Sequence, residues 1–300
     1  TKALLKFVKE HKIDLTVVGP ETPLATGIVD KFEKEKFKIF GPGKEAARLE
    51  SSKAFSKDFM HECNIPTAPY MIFSKIEDAH TFLEKAQYPL VVKADGLASG
   101  KGVVICKDIK AGKEAVDKIM KAKIFGAAGK KIVIEECLQG EEVSILAFCD
   151  GKHFVILETA QDHKRIFDDD LGPNTGGMGA YSPTSLVDAE LMKKIDTRII
   201  DPTLRGMKRR ETPFKGILYV GLMLTADGPL VLEYNVRFGD PEVQAILPRL
   251  KNDIVEIMLA CCEGKVNQIK LEWDKQYCIC VVMSSGGYPG EYQTGVEITG

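Results

Sequence analysis

The chain has no long apolar run, no excess of basic charge and no cysteine pattern that frames a disulfide or a zinc site. Its longest hydrophobic stretches, such as 216–224, fall far short of the ~20 residues that cross a bilayer, so no membrane partner is expected. The opening TKALLKFVKEHK reads as a helix rather than a signal peptide. With 41 Lys and Arg against 43 Asp and Glu, the net charge is −2. A protein that grips nucleic-acid backbones needs a basic surplus, so no nucleic acid is expected as a partner. The 8 cysteines form no CxxC pair, and several sit in apolar runs, among them Cys106, Cys278 and Cys280. Reduced core thiols in a cytoplasmic protein account for that pattern. Internal repeats, coiled-coil heptads and low-complexity segments are also missing.

What is present is enough chain for several lobes. A length of 300 residues exceeds the roughly 100–150 of a typical domain, which favours a small-molecule cleft between lobes. Residues 1–43 read as helix, buried strand (DLTVVG, 14–19), helix (24–34) and strand (KIFG), a β-α-β unit of an open parallel sheet. The loop GPETP follows the carboxyl end of its first strand, where such sheets bind ligands. A helix is expected over 44–63, and Pro66 and Pro69 then mark a boundary. Next come helix 76–86, strand PLVVKA, a glycine loop, strand GVVIC, helix 109–122 and strand KIVIEE. Asp150-Gly151 and Asp227-Gly228 each punctuate a hairpin, since Asp-Gly favours tight turns. A long helix over 189–210, interrupted at Pro202, and a last helix over 253–263 complete the pattern. The chain opens inside a helical pattern and stops just after the strand-like VEI, so elements beyond both ends are expected.

Four segments carry chemistry. In LVLEYNVRFGDPE (230–242), strand alternation puts Glu233, Asn235 and Arg237 on one face. A carboxylate and an amide oxygen suit Mg2+, and an Arg suits a carboxylate or phosphate. The same spacing also suits a half-exposed strand with polar residues facing water. KADGLASGKGVV (93–104) joins Lys93 and Lys101 to Gly96, Gly100 and Gly102 between two strands. It does not open a helix, so it is a strand-loop-strand flap and not a P-loop. In KIVIEECLQGEEVSI (131–145), Glu136 and Glu141 are expected to be solvated, while Glu142 is placed to meet ribose hydroxyls. QDHKRIFDDDLGPNTGGMGAY (161–181) shows no period, and an unstructured loop of ~20 residues inside a domain tends to be functional.

The order of these segments resembles the ATP-grasp superfamily, in which two α+β lobes hold ATP and activate a carboxylate for attack by an amine. Within it the chain is similar to the glycinamide ribonucleotide synthetase family. The likeness is carried by VVGPETPL (17–24), LESSKAFSKDFM (49–60), KADGLASGKGV (93–103), IVIEECLQGEEVS (132–144), QDHKR (161–165), GPNTGGMGAYSP (172–183) and LEYNVRFGDPE (232–242). QDHKR and GPNTGGMGAYSP are the most specific of them. They argue against biotin carboxylase-like and glutathione synthetase-like ligases, which are the alternatives together with a nucleotide-binding fragment that does not turn over.

The resemblance implies an α/β and α+β chain: an ATP-grasp fold preceded by part of an open parallel α/β domain. The implied divisions are 1–58 for that partial domain, 59–272 for the ATP-grasp domain (flap lobe about 69–140, core lobe about 141–272) and 273–300 for the start of a further domain. It implies ATP and Mg2+ or Mn2+ as cofactors, and glycine and phosphoribosylamine as substrates joined through glycyl phosphate. Fusion to other purine-pathway domains is a further expectation. Lys53, Lys93, Gly96, Gly100 and Gly102 are assigned to the ATP phosphates, Glu135, Glu136 and Leu138 to the adenine side, and Glu142 to the ribose. Glu233 and Asn235 are assigned to the metal. Arg237, Lys101 and Asp240 are the catalytic candidates, with Gly239 at the glycine. Gly19, Pro20, Glu21, Asp162, His163, Lys164, Asn174, Gly176, Gly177 and Met178 are assigned to the phosphoribosylamine side. Many members of the superfamily add an acidic ligand on the strand paired with the metal strand, and GILYVGLMLT (216–225) offers none.

Overall fold

The computed structural model describes residues 1–97, 102–122, 124 and 126–299. The chain begins with α1 (Lys2–His11), β1 (Thr16–Val17), α2 (Glu21–Ala25), α3 (Ile28–Lys34) and β2 (Ile39–Phe40). β1 and β2 pair in parallel, with Thr16 opposite Ile39, as the strand-helix-strand alternation predicts. The single helix expected over 24–34 is two helices, because Gly27 takes a left-handed φ of 78° between them. The helix expected over 44–63 is likewise divided, into α4 (Arg48–Ser51) and α5 (Lys53–Glu62). Ser52 is extended there, and its hydroxyl accepts the Phe55 N–H at 3.2 Å, restarting the helix as an N-cap.

The next lobe comprises β3 (Tyr70–Phe73), α6 (Ile76–Leu83), β4 (Leu90–Ala94), β5 (Val103–Cys106), α7 (Ile109–Val116) and β6 (Ile132–Glu136). Its strands run antiparallel in the order β3-β6-β4-β5. Alternation divides the sheet's faces: Leu90, Val92, Ile132 and Ile134 pack on α6 and α7. Val91, Lys93 and Glu135 point the other way, into a cleft.

The rest of the chain builds a second four-stranded sheet. It contains β7 (Glu141–Asp150), β8 (Phe154–Ile156), β9 (Gln161–Asp162), β10 (Arg165–Phe167), β11 (Leu171–Asn174), β12 (Gly179–Ser182), α8 (Ala189–Ile195) and α9 (Asp201–Arg209). β13 (Lys215–Thr225), β14 (Gly228–Asn235), α10 (Glu242–Ile246), α11 (Ile254–Glu263) and β15 (Cys278–Val281) follow. The order β14-β13-β7-β8 contains both Asp-Gly hairpins. Ile145, Leu218 and Val220 pack against the N-terminal unit and α8–α9, while Leu146, Phe148 and Ile217 pack against α11. A π turn over Asp196–Ile200 joins α8 to α9, and Pro202 falls in the first turn of α9, where its missing N–H is tolerated.

The largest departure from expectation lies at 161–181, which is not devoid of secondary structure. β10 and β11 form a hairpin around the exposed bend Asp168–Asp170, and β12 pairs with β9 and β15. Strands of two to four residues are too short to show a period. No described helix is long and apolar enough to cross a membrane.

Candidate active site

A cleft of about 320 Å3 is lined from one side by the flap sheet and from the other by the core sheet and α5. Its cationic wall is assembled around one carboxylate. Glu135, on β6, pairs with Lys57 at 2.5 Å and also with Lys93, and all three side chains are at most 8% exposed. Lys57 further donates to Thr67 Oγ1 at 2.7 Å, whose own hydroxyl donates to the Val231 carbonyl at 2.6 Å. Lys93 Nζ also reaches the Leu232 carbonyl at 3.3 Å. The three ionic groups are thereby fastened to β14, the strand that carries Glu233. Burial opposes ionisation of Glu135, but the two lysines outweigh it and hold its carboxyl below the usual range.

Lys53 opens α5, and its position is fixed from the base of the glycine segment. Asp95 Oδ1 accepts Ser52 Oγ at 2.9 Å and the Ala54 N–H at 2.8 Å, while its carbonyl accepts the Lys53 N–H at 2.8 Å. Burial, and then the charge of Lys93, lower the Lys53 pKa. Two ammonium groups that destabilise each other beside an open cleft favour a polyanion between them. Gly102 lines the cleft and Gly96 does not. Gly100 and Lys101 lie outside the described residues.

Glu233 and Asn235 reach the cleft from β14. Burial works against the Glu233 charge, but Lys164, Lys53, Lys93 and Arg237 outweigh it and keep the carboxylate ionised. β14 ends at Asn235, so strand alternation alone does not place Arg237. Glu50 does: it pairs with Arg237 Nη2 at 3.1 Å and accepts the Val236 N–H at 2.8 Å, while Arg237 Nη1 donates to the Phe238 carbonyl at 2.9 Å. Glu50→Gln is expected to lower turnover about tenfold by loosening this grip, with the fold retained. Steady-state kinetics and a thermal melt measure the two effects.

The donor set suits a hard cation. Among the described residues no three His, Cys, Asp or Glu side chains converge as a metal cluster. Gly221 sits opposite Glu233 on β13, which is why that strand supplies no second acid. One carboxylate and one amide oxygen match Mg2+, which completes its octahedron with phosphate and water oxygens.

The far wall is acidic. Lys164 donates to Glu142 at 2.7 Å, so this carboxylate, expected at a ribose, is committed to a lysine. The nearest approach of Lys164 to Asp162 is 3.9 Å. Asp162 is 9% exposed. Burial, with Glu242, Glu142 and Glu233 adding to it, pushes its pKa up to about 7 against the opposing charge of Lys164. Burial disfavours the Lys164 ammonium, but Asp162, Glu142 and Glu233 outweigh it and raise its pKa.

Because the Asp162 pKa is raised, the folded state keeps a proton that the unfolded chain releases between the ordinary carboxylate range and about 7. Stability is therefore expected to fall as pH rises through that window, by at most about 1.4 kcal/mol per pH unit for one proton. Asp162→Asn should flatten the slope in urea unfolding curves taken at about pH 5 and about pH 8.

Of the other sequence candidates, Glu21, Glu136, Leu138, Asn174, Gly176, Gly239 and Asp240 line the cleft, and Gly19, Pro20, Gly177, His163 and Met178 do not. The His163 ring stacks on Tyr181 at 6.1 Å, and its backbone exchanges hydrogen bonds with Gly179 and Met178, so it shapes the loop. The Glu135 carboxylate, assigned to the adenine side, is taken up by two lysines and leaves only backbone for a purine edge. Residues that sequence reasoning passed over are Lys57, Glu50 and the buried trio Ser144, Tyr219 and Glu242. Lys57 carried a signal, since it lies four residues beyond Lys53 on the same helical face.

The chain resembles known proteins along nearly its whole length. Residues 51–243 match the family described as phosphoribosylglycinamide synthetase, ATP-grasp (A) domain, and residues 1–50 match its N domain. The chain is 48% identical over 297 residues to a phosphoribosylamine–glycine ligase of Caldanaerobacter subterraneus subsp. tengcongensis, covering 99% of this chain and 71% of the relative. It is 50% identical over 299 residues to the Escherichia coli K12 enzyme of the same name, covering 99% and 70%. Among solved structures, the Thermotoga maritima phosphoribosylamine–glycine ligase superposes with a TM-score of 0.79 at 37% identity, over 88% of this chain and 66% of that one. A Campylobacter jejuni biotin carboxylase, at 17% identity and a TM-score of 0.75 over 93% of this chain and 61% of its own, shares the fold.

Proposed function

This chain belongs to the phosphoribosylglycinamide synthetase family, and we propose on that premise that it ligates glycine to 5-phosphoribosylamine with ATP, yielding glycinamide ribonucleotide, ADP and phosphate. The observation that carries the reading is the convergence of Lys53, Lys93 and Arg237 with Glu233 and Asn235 on one cleft. Phosphoryl transfer asks a protein for positioning and charge neutralisation more than for covalent help, and this set supplies both.

Lys53 and Lys93 hold the phosphates, with Lys93 kept in place by Glu135 and Lys57. Glu233 and Asn235 hold Mg2+, or Mn2+ in its place. When bound, the cation supplies further positive charge against the phosphate oxygens. Arg237, clamped by Glu50, orients the glycine carboxylate toward the γ-phosphate, and Gly239 and Asp240 complete that pocket. The carboxylate oxygen attacks phosphorus and ADP leaves. The phosphoribosylamine nitrogen, held from the side of Lys164, Asn174 and Gly176, then attacks the acyl carbon of glycyl phosphate and releases phosphate. The resemblance assigns the exclusion of water from this intermediate to the segment 95–102, of which 98–101, Lys101 among them, lie outside the described residues.

The domain assignment follows: 1–58 as the partial N-terminal unit, 59–272 as the ATP-grasp unit and 273–300 as the beginning of another. The two family matches divide earlier, at 50/51 inside α4, whereas 58/59 falls inside α5. All 8 cysteines are free, in keeping with a reducing cytoplasmic setting.

The test is an assay of ADP and phosphate in the presence of Mg2+. Sustained release should require glycine and phosphoribosylamine together. ADP formation that ignores either substrate, or none with both, removes the reading.

A further inference from the structure

The ligation just described leaves two buried carboxylates without a role. Glu242, at the start of α10, is 2% exposed. Its Oε1 accepts from Ser144 Oγ at 2.8 Å and from Tyr219 OH at 2.7 Å, two neutral donors. Among the described residues no lysine, arginine or histidine comes within ion-pair distance of it. Its Oε2 lies against Gly239, where any side chain would collide with it, so the absence of a Cβ keeps that side of the carboxylate clear. Asp162 is 9% exposed and faces the same cleft. It makes no side-chain hydrogen bond among the described residues. Its nearest cation, Lys164, stays at 3.9 Å because it is bonded to Glu142. Ser144, which donates to Glu242, bridges to Ala160, two residues before Asp162, so the two acids face the cleft from neighbouring positions.

A carboxylate this deep with no cation bonded to it calls for one. Apart from Lys164, which is bonded to Glu142, the positive side chains lining the cleft, Lys53, Lys57, Lys93 and Arg237, belong to the phosphate and carboxylate side. Glycine carries both signs one carbon apart. Arg237 and Glu242 flank a single turn, 237–242, so a carboxylate oriented by the first leaves the ammonium group beside the second. We infer that Asp162 and Glu242 form the binding site for the α-ammonium group of glycine, and that this acidic pair selects glycine over carboxylic acids that lack a cationic group. The inference rests on the ligase reading above.

The site also has a chemical consequence. An ammonium nitrogen has no lone pair and cannot attack an acyl phosphate. Held between two carboxylates, the glycine nitrogen stays protonated, so the amine of phosphoribosylamine is left as the nucleophile. Asp162 therefore serves the glycine half of the cleft, where the resemblance had assigned it to phosphoribosylamine.

The experiment uses Glu242→Gln and Asp162→Asn, each with a thermal melt. The glutamine keeps an acceptor for Ser144 and Tyr219, and the asparagine removes a buried charge, so both variants retain the fold. ADP formation is measured as a function of glycine, phosphoribosylamine and ATP in turn, and with glycolate, whose hydroxyl replaces the ammonium. The expected result is a rise of about 10- to 100-fold in KM for glycine in each variant, with the other two KM values within about threefold. The kcat/KM preference for glycine over glycolate should fall at least about tenfold. An unchanged preference overturns the inference, as does a rise confined to phosphoribosylamine or an equal rise in all three KM values. If one variant fails to fold, the other decides. A wild-type chain that makes no ADP with glycine and phosphoribosylamine removes the ligase reading itself, an outcome distinct from an active wild type with unchanged selectivity.

Discussion

Glu233→Ala is expected to lower kcat/KM for ligation by about 10³-fold, equivalent to ~4 kcal/mol of transition-state stabilisation. Two effects add at this position. The variant removes the only carboxylate of the metal pair, and the neutral Asn235 cannot hold a divalent cation unaided. It also removes the negative charge that Lys164, Lys53, Lys93 and Arg237 surround, so the four cations repel one another where phosphates must be aligned. Asn235→Ala takes away a neutral ligand and leaves that charge balance intact, so its loss should be smaller, about 10- to 100-fold. Both side chains border an open cleft rather than the packed core, so unfolding should stay cooperative. Steady-state ADP release and Mg2+ titrations of nucleotide binding make the comparison. A Glu233→Ala variant within tenfold of wild type, or one whose nucleotide affinity still follows Mg2+ as in wild type, would sink the metal assignment.

Why Glu233 and Asn235 could be read from sequence while Glu50 could not is a matter of range. Period-two alternation on an apolar strand and an Asp-Gly turn are local signals, and they placed β13 and β14 and the residues on them. Glycine-rich segments between strands are local too, and drew attention to 93–104 and 172–179. Glu50 acts by reaching the backbone of Val236, 186 positions away. Ser144, Tyr219 and Glu242 meet from separations of 75 and 98 residues. No pattern within a window of ten or twenty residues records such meetings. The two divided helices show the opposite limit. Gly27 and Ser52 are local breakers, but the apolar spacing on either side is continuous, and periodicity alone favoured one long helix in each place. In 161–181 the strands are only two to four residues long: β10 and β11 hold each other in a tight hairpin, while β12 finds a partner in the distant β15.

Glu135→Ala is expected to be the most damaging single substitution for stability, at about 3–5 kcal/mol, because it strands two ammonium groups in a site built around one carboxylate. Lys57 and Lys93 would remain at 3% and 8% side-chain exposure with only neutral oxygens in reach. Lys57→Met should be milder, at ~1–2 kcal/mol, since it leaves Glu135 paired with Lys93 and a flexible apolar side chain in place of the lysine stem. An ion pair that merely decorated the surface would show no such asymmetry. The pH dependence has a fixed sign. The carboxyl of Glu135 is held below its ordinary range, so its contribution is complete above that range and is lost as pH falls through the depressed value. Acid unfolding of the wild type should thus reach into the flap lobe, whereas Glu135→Ala should already be weakened at neutral pH and lose less on acidification. Chemical denaturation of both variants at neutral and acidic pH measures these differences. If Lys57→Met is as damaging as Glu135→Ala, the shared carboxylate is not what organises the phosphate wall, and Lys93 must be held by its bond to the Leu232 carbonyl instead.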